Sequence, residues 1–272
     1  MTTPSESLRR DGFYICRSLL PESDVIAVNE SINRTVRDQL AFLGIREPGD
    51  EVHSALRTLL QSDIDRYKRT LAALWRKSDI GALMRHQALF DFVRRELGWR
   101  DVFLPGGEVV LVMADDLRIP GGYFGLEPHQ DFPSVQGSLD GLVVWIPLTP
   151  VDRMGFPLEI VPRSHHRGLI SEVTLGQNEW QIDADQLTGS DWLPIEVAVG
   201  DVAFISVFTI HRSSRVGAPD RLRMALSTRF DNAAEPTFVE RGYPTAFQRV
   251  VHREQYFKDF PTARQIEDLF GC

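Results

Sequence analysis

Apolar and polar positions divide the chain into a helical part and a strand-rich part. Val25, Val28, Ile32, Val36, Leu40 and Leu43 recur at steps of three and four, the spacing of one face of an α-helix. Ser23 or Asp24, just after Pro21, supplies capping chemistry for its start, and Gly44 supplies a stop. A second periodic stretch runs from about Ser54 to Trp75 through Leu56, Leu59, Leu60, Ile64, Tyr67, Leu71 and Leu74. A third runs from about Ser78 to Leu97, with Gly98 behind it. Such stripes predict helix faces turned to a core. After Gly98 the texture changes to short apolar or alternating runs bounded by Gly, Pro and Asp. These are Glu108–Met113, Leu142–Leu148, Leu158–Val161, Ile195–Val199, Val202–Val207 and Arg223–Phe230. Strands at this density predict an antiparallel sandwich or barrel. Gly200-Asp201 reads as a hairpin turn, and Pro147 is compatible with a strand end or edge.

The segment Gly168–Asp191 is polar and weakly patterned, as expected of a long loop that can act as a lid or binding element. With no internal repeat and no low-complexity linker, residues 1–272 are expected to form one unit. About 1–98 would be a helical layer, about 99–235 a β core, and about 236–272 a C-terminal extension with a short helix at Pro261–Phe270.

Composition narrows the class. Of 272 residues, 43% are hydrophobic and 25% charged, which fits a folded globular protein and excludes a largely disordered one. The formal net charge of −8, without a Lys/Arg cluster, argues against nucleic acid or an anionic membrane surface as partner. Cys16 and Cys272 are the only cysteines, which leaves no disulfide framework and no cysteine zinc site. The first residues contain no apolar segment of the signal-peptide kind. No run reaches the roughly 18 apolar residues of a bilayer span. A cytoplasmic protein is expected.

Histidine carries the chemistry. Of seven, His53 and His86 lie in the predicted helices and read as surface or structural. His129 stands in Glu127-Pro128-His129-Gln130-Asp131. In an extended segment, residues i and i+2 point to the same side, so His129 and Asp131 can present an imidazole and a carboxylate to one point. These are two ligands of a 2-His-1-carboxylate facial triad. The third is expected from a later strand, and His211, after the apolar run Val202–Ile210, qualifies; it can also be simply a packed strand-end histidine. Arg223, twelve residues further on, can clamp a carboxylate bidentately, and Ser213 can add a hydrogen bond. Arg221 competes for the role of Arg223, because the two share strand parity.

In sequence order, Asp11-Gly12-Phe13, Pro128-His129-Gln130-Asp131, Trp145-Ile146-Pro147-Leu148, Pro157-Leu158-Glu159-Ile160-Val161-Pro162-Arg163-Ser164-His165, His211-Arg212-Ser213 and Arg223-Met224-Ala225-Leu226-Ser227 resemble the motifs of the phytanoyl-CoA dioxygenase-like, Fe(II)- and 2-oxoglutarate-dependent oxygenases. The resemblance spans most of the chain. It implies a mostly-β fold with flanking helices, a double-stranded β-helix (a cupin-like jelly roll) behind an N-terminal helical layer. It implies His129, Asp131 and His211 as catalytic Fe(II) ligands and Arg223 as the 2-oxoglutarate arginine, assisted by Ser213, with Trp145 near the cosubstrate. Arg223 is preferred over Arg221 because it fits the family's Arg-x-Ala-Leu-Ser pattern. Two departures stand out. Arg163 replaces the usual Gly before Ser164-His165, and Met154-Gly155-Phe156 replaces a turn that is usually Asn-Gly; both would change loop shape. His165 and His166 read as structural.

The function implied is oxygenation of a C–H bond in a small-molecule metabolite, coupled to O2 and to conversion of 2-oxoglutarate to succinate and CO2. Halogenating members carry a small residue in place of the carboxylate, so Asp131 points to hydroxylation, desaturation or cyclisation. Gln130, Phe132, Gln136, Tyr123, Phe124 and the Gly168–Asp191 loop are candidates to line the substrate pocket. Three rivals remain: a cupin-like metalloenzyme that does not use 2-oxoglutarate, a non-catalytic binding protein on the same barrel, and a zinc hydrolase built on the same three ligands. Oligomeric state is not legible.

Overall fold

The computed structural model describes residues 2–46, 51–104, 109–120, 122–170, 173–174 and 181–237, with Gly49, Thr262 and Arg264 besides. All but a few positions of the expected C-terminal extension, with its helix at Pro261–Phe270, lie outside the described residues.

The chain opens with a helix that the apolar pattern does not announce, α1 (Pro4–Asp11). A reciprocal cap starts it: the Thr3 hydroxyl accepts from the Glu6 N–H, and the Thr3 N–H donates to the Glu6 carboxylate. Gly12 ends it in the left-handed region, at φ 85°, and turns the chain directly into β1 (Phe13–Cys16). Only a glycine fits there. A Cβ would lie 2.4 Å from Thr209 Oγ1 and 2.5 Å from His165 Nδ1, and the Gly12 carbonyl accepts from both Ser206 N–H and the Thr209 hydroxyl. The Asp-Gly-Phe motif thus docks the N-terminal helix on the β core.

The long stripe becomes α2 (Glu22–Phe42), which buries Val25, Val28, Ile32, Val36 and Leu40. Each such side chain contributes about 1.5–3 kcal/mol of burial free energy. Its N-cap is Pro21, without a side-chain cap bond, rather than Ser23 or Asp24. The second stripe is two helices, α3 (Val52–Ser62) and α4 (Ile64–Leu74). Asp63 leaves helical geometry (φ −157°, ψ 96°) and its side chain accepts from the Arg66 N–H to start α4. The third stripe also breaks, into α5 (Ser78–Met84) and α6 (Gln87–Leu97), with His86 capping α6 through the Ala88 N–H. Apolar periodicity survives both breaks because each new helix keeps its apolar face on the same core.

The strands form two antiparallel sheets. In the larger, β1, β9 (Val202–Ser206), β4 (Leu142–Pro147) and β11 (Arg223–Asn232) are neighbours in that order. β2 (Val102–Phe103) and β3 (Val109–Met113) share the far edge of β11. The smaller sheet has the order β10 (His211–Ser213), β5 (Leu158–Ile160), β8 (Leu193–Ile195). β6 (Val173–Thr174) and β7 (Gln181–Ile182) pair with each other. Side-chain alternation makes the layers. Leu142, Val144 and Ile146 of β4, Val202 and Phe204 of β9, and Met224, Leu226 and Phe230 of β11 share one core with the helices. The intervening Val143, Trp145, Ala203, Ile205 and Ala225 share a second core with Leu158, Ile160 and Ile195 of the small sheet. The result is helices on a large sheet on a small sheet, with the sheets face to face as in a jelly roll. No helix among the described residues is long and apolar enough to cross a membrane.

Gly200-Asp201 is not a hairpin turn. β8 pairs in the small sheet and β9 in the large one, so the turn carries the chain between sheets. Asp201, 3% exposed, accepts from Ser18 N–H and Ala198 N–H at 2.9 Å each and from Arg17 at 2.6 Å. Burial alone would raise its pKa, but the two backbone N–H groups and Arg17 hold it below the ordinary value. A carboxyl depressed in the folded state stabilises above its unfolded pKa and loses that contribution as pH falls through the folded pKa. Asp201→Ala should cost roughly 2–4 kcal/mol at neutral pH, with a deficit that narrows in acid. Urea denaturation at pH 7 and pH 3 checks this; equal deficits at the two pH values would contradict it.

Candidate metal centre

Residues 129 and 211 are paired through their backbones. His129 N–H donates to the His211 carbonyl at 3.0 Å, and His211 N–H donates to the His129 carbonyl at 3.1 Å. A directly opposed antiparallel pair puts both side chains on one face, and the ring centroids lie 4.3 Å apart. The segment 128–129 thereby extends the small sheet, bridging β10 on one side and Gln181 of β7 on the other. Asp131 follows at i+2 and points the same way; beyond it Phe132–Val135 form one helical turn, α7. His129, Asp131 and His211 each offer a donor atom, and the three atoms lie within 4.8 Å of one another.

The protons are placed for a cation. His129 Nδ1 lies 2.7 Å from the Glu127 carbonyl and His211 Nδ1 lies 2.9 Å from the Thr209 carbonyl. A carbonyl only accepts, so each ring places a proton on Nδ1 and turns Nε2 inward. His211 Nε2 is 3.2 Å from Asp131 Oδ2. Among the described residues His129 Nε2 and Asp131 Oδ2 are buried without a hydrogen-bond partner. Two inward Nε2 atoms and a carboxylate oxygen converging on one point are a donor set that a divalent ion satisfies. Burial, then the neighbouring His211, pushes His129 down to about 4, which keeps it neutral at pH 7 as a ligand must be. Burial alone would raise Asp131, but the Arg229 guanidinium holds it well below the carboxylate range.

Arg223 opens β11 and faces the inter-sheet core with no exposed surface. Its Nη1 donates to the Phe156 carbonyl at 2.6 Å, and Nη2 lies 3.4 Å from both Tyr123 Oη and Ser213 Oγ. Its Nε has no partner among the described residues. A buried guanidinium with a spare donor is expensive unless an anion joins it, and burial pulls its pKa below the ordinary value. Ser213 and Tyr123 beside it complete a set of donors suited to a carboxylate. Gly125, at φ 83°, lets the chain pass against Ser213; a Cβ there would lie 2.6 Å from Ser213 Cβ. A cavity of about 80 Å³ is lined by His129, His211, Ser213, Tyr123, Trp145 and Arg229, among others. Trp145 is buried, with an unpartnered indole N–H.

Several sequence expectations shift. Arg221 precedes β11, lies on the surface and pairs with Asp152, so it does not share the position of Arg223. Gln130 does not line the cavity. Between two inward ligands it points the other way, donating to the Gly168 and Phe208 carbonyls and accepting from Ile170 N–H. It staples the start of the Gly168–Asp191 segment to the ligand strand; part of that segment lies outside the described residues. Phe132 stacks on Phe208 and Phe124 packs edge-on against Phe156, whereas Tyr123 does line the cavity. The unusual Met154-Gly155-Phe156 turn is no mere connection, since the Phe156 carbonyl anchors Arg223. Arg163 sits at φ 68°, a conformation that glycine adopts without strain, so the departure costs about 1 kcal/mol of backbone energy. Sequence reading missed Arg229, although its signal was present: it shares strand parity with Arg223.

The sequence profile of the family described as Phytanoyl-CoA dioxygenase (PhyH) matches residues 8–225. No curated protein matches the chain by sequence. Solved structures share the fold at low identity. The epimerase SnoN, in complex with Fe3+, alpha ketoglutarate and nogalamycin RO, superposes with a TM-score of 0.59 at 15% identity, covering 91% of each chain. The alpha ketoglutarate dependent carbocyclase SnoK gives 0.57 at 17%, covering 91% of this chain and 93% of its own. EctD from S. alaskensis with 2-oxoglutarate and 5-hydroxyectoine gives 0.54 at 14%, covering 85% and 76%.

Proposed function

Because the chain belongs to the phytanoyl-CoA dioxygenase (PhyH) family, we propose that it is an Fe(II)- and 2-oxoglutarate-dependent oxygenase that hydroxylates an unactivated C–H bond of a small-molecule metabolite. The observation that carries this reading is the convergence of two inward-facing imidazoles and one carboxylate beside a buried arginine with a spare donor. That arginine speaks against a cupin-like enzyme that does not use 2-oxoglutarate.

His129, Asp131 and His211 would hold the metal as three protein ligands, and the remaining coordination positions would be available to exogenous ligands. When bound, iron with 2-oxoglutarate and O2 supplies the oxidising power, 2-oxoglutarate leaving as succinate and CO2 with one oxygen atom while the other enters the substrate C–H bond. Arg223, Ser213 and Tyr123 orient the far carboxylate of the cosubstrate. Leu111, Val143 and Leu158 give the cavity an apolar wall, which would limit the access of water to the site. The Trp145 N–H is a further donor inside that wall.

Purified protein with Fe(II), 2-oxoglutarate and air should form succinate slowly without substrate and faster with it. Chelation should stop it, and Fe(II), but not Zn(II), should restore it. Succinate formation indifferent to chelation would refute the reading. A second outcome at the C–H bond is favoured by the fold neighbours named as an epimerase and a carbocyclase. Product mass separates them: a gain of one oxygen marks hydroxylation, no change epimerisation, and loss of two hydrogens ring closure or desaturation.

A further inference from the structure

β11 presents every second side chain to the space between the sheets: Arg223, Ala225, Ser227 and Arg229. The strand thus carries a buried cation at each end of this row, about 20 Å apart along the backbone. Arg223 belongs to the carboxylate clamp. Arg229, 8% exposed, reaches Asp131, 2% exposed. Its contact has an unusual division. Nε, at 3.2 Å, and Nη2, at 2.5 Å, both donate to the same oxygen, Oδ1, instead of taking one oxygen each as a guanidinium fork commonly does. The other oxygen, Oδ2, faces His211 Nε2.

We infer that Arg229 is a positioning residue that restricts Asp131 to single-oxygen ligation of the metal. This rests on the iron and 2-oxoglutarate reading above. A carboxylate with both oxygens free can grip a cation with two. With Oδ1 committed to two N–H donors, only Oδ2 is free to bind, and the protein contributes three donor atoms rather than four. A six-coordinate metal held so would keep three positions open, enough for a chelating 2-oxo acid and O2. Without Arg229 the second oxygen competes with the cosubstrate for one of them. Arg229 also lines the cavity, and Ser227, Ala225 and Arg223 on the same strand connect it to the clamp, so one strand sets both the number of open positions and the hold on the ligand that fills two of them.

The test separates metal binding from cosubstrate binding. Fe(II) affinity of wild type and Arg229→Gln is measured anaerobically by equilibrium dialysis. 2-Oxoglutarate is then titrated into each Fe(II) form while the visible charge-transfer band is recorded. Arg229→Gln should keep Fe(II) within about tenfold and raise half-saturation by 2-oxoglutarate roughly ten- to hundredfold. Arg229→Lys, which can still donate to Oδ1, should recover part of the loss. Equal 2-oxoglutarate half-saturation in Arg229→Gln and wild type, or loss of metal and cosubstrate binding in parallel with thermal stability, would overturn the inference. If Arg229→Gln does not fold, Arg229→Lys carries the test: a weaker 2-oxoglutarate titration with iron retained supports the inference, and a wild-type titration overturns it. A wild-type protein without any band refutes the cosubstrate reading itself, which separates that failure from this one.

Discussion

Asp131→Ala is expected to abolish succinate formation, with a fall of at least roughly a thousandfold, or about 4 kcal/mol of transition-state free energy. Two effects combine. The substitution removes the only anionic donor of the metal set, and a site of two neutral imidazoles holds a divalent ion poorly. It also takes from Arg229 the carboxylate that its Nε and Nη2 both bond. Removing one partner of a buried ion pair costs about 3–5 kcal/mol of stability. The variant should therefore lose activity and thermal stability together. His129→Ala provides the matched contrast: it deletes a ligand and leaves the Arg229–Asp131 pair in place, so activity falls as far while stability falls less. Succinate assays paired with thermal denaturation read both. Undiminished succinate formation by Asp131→Ala would sink the metal assignment.

The second large effect belongs to Arg223→Ala. A fully buried guanidinium bonded to Phe156, Tyr123 and Ser213, with Nε unpartnered among the described residues, is the group that the proposed function assigns to the cosubstrate carboxylate. Truncating one partner of a buried charged pair costs about 2–5 kcal/mol, which is roughly 30-fold to several-thousandfold in dissociation constant. Half-saturation by 2-oxoglutarate should rise by that factor, whereas Fe(II) affinity should barely change, because Arg223 is no ligand. Stability supplies an independent readout. Saturating 2-oxoglutarate raises the Tm of a protein that binds it, and this increase should vanish in Arg223→Ala. A variant that titrates like wild type would assign the cosubstrate carboxylate to another group. Arg221→Ala is the internal control, since Arg221 pairs with Asp152 at the surface and should leave both readouts unmoved.

Much of this was legible because strand alternation is strict. The pair at i and i+2, His129 and Asp131, had to face one way, and the apolar run before His211 placed that residue at a strand. The same rule, applied further, excludes Gln130 from the cavity and enrols Arg229, six residues and three alternations beyond Arg223. What parity could not separate was Arg221 from Arg223. The answer depends on where β11 begins, which its pairing with β3 and β4 decides. Helix stripes were legible as faces but not as lengths, since Asp63 and His86 interrupt helices without interrupting the apolar period. Gly200-Asp201 looked like a hairpin because turn chemistry is local, whereas the sheet each flanking strand joins is a long-range fact. The Met154-Gly155-Phe156 turn stood out as unusual, but the anchoring role of Phe156 was not legible: its contribution is a backbone carbonyl, and any residue supplies one.

The most direct test of the central claim is an anaerobic titration of Fe(II) into the metal-free wild-type protein, with and without 2-oxoglutarate, recorded in the visible range. The geometry predicts a charge-transfer band that needs both components and is lost in His129→Ala. A folded, iron-loaded protein that shows no band on addition of 2-oxoglutarate would contradict the account and move the chain to metal chemistry without that cosubstrate.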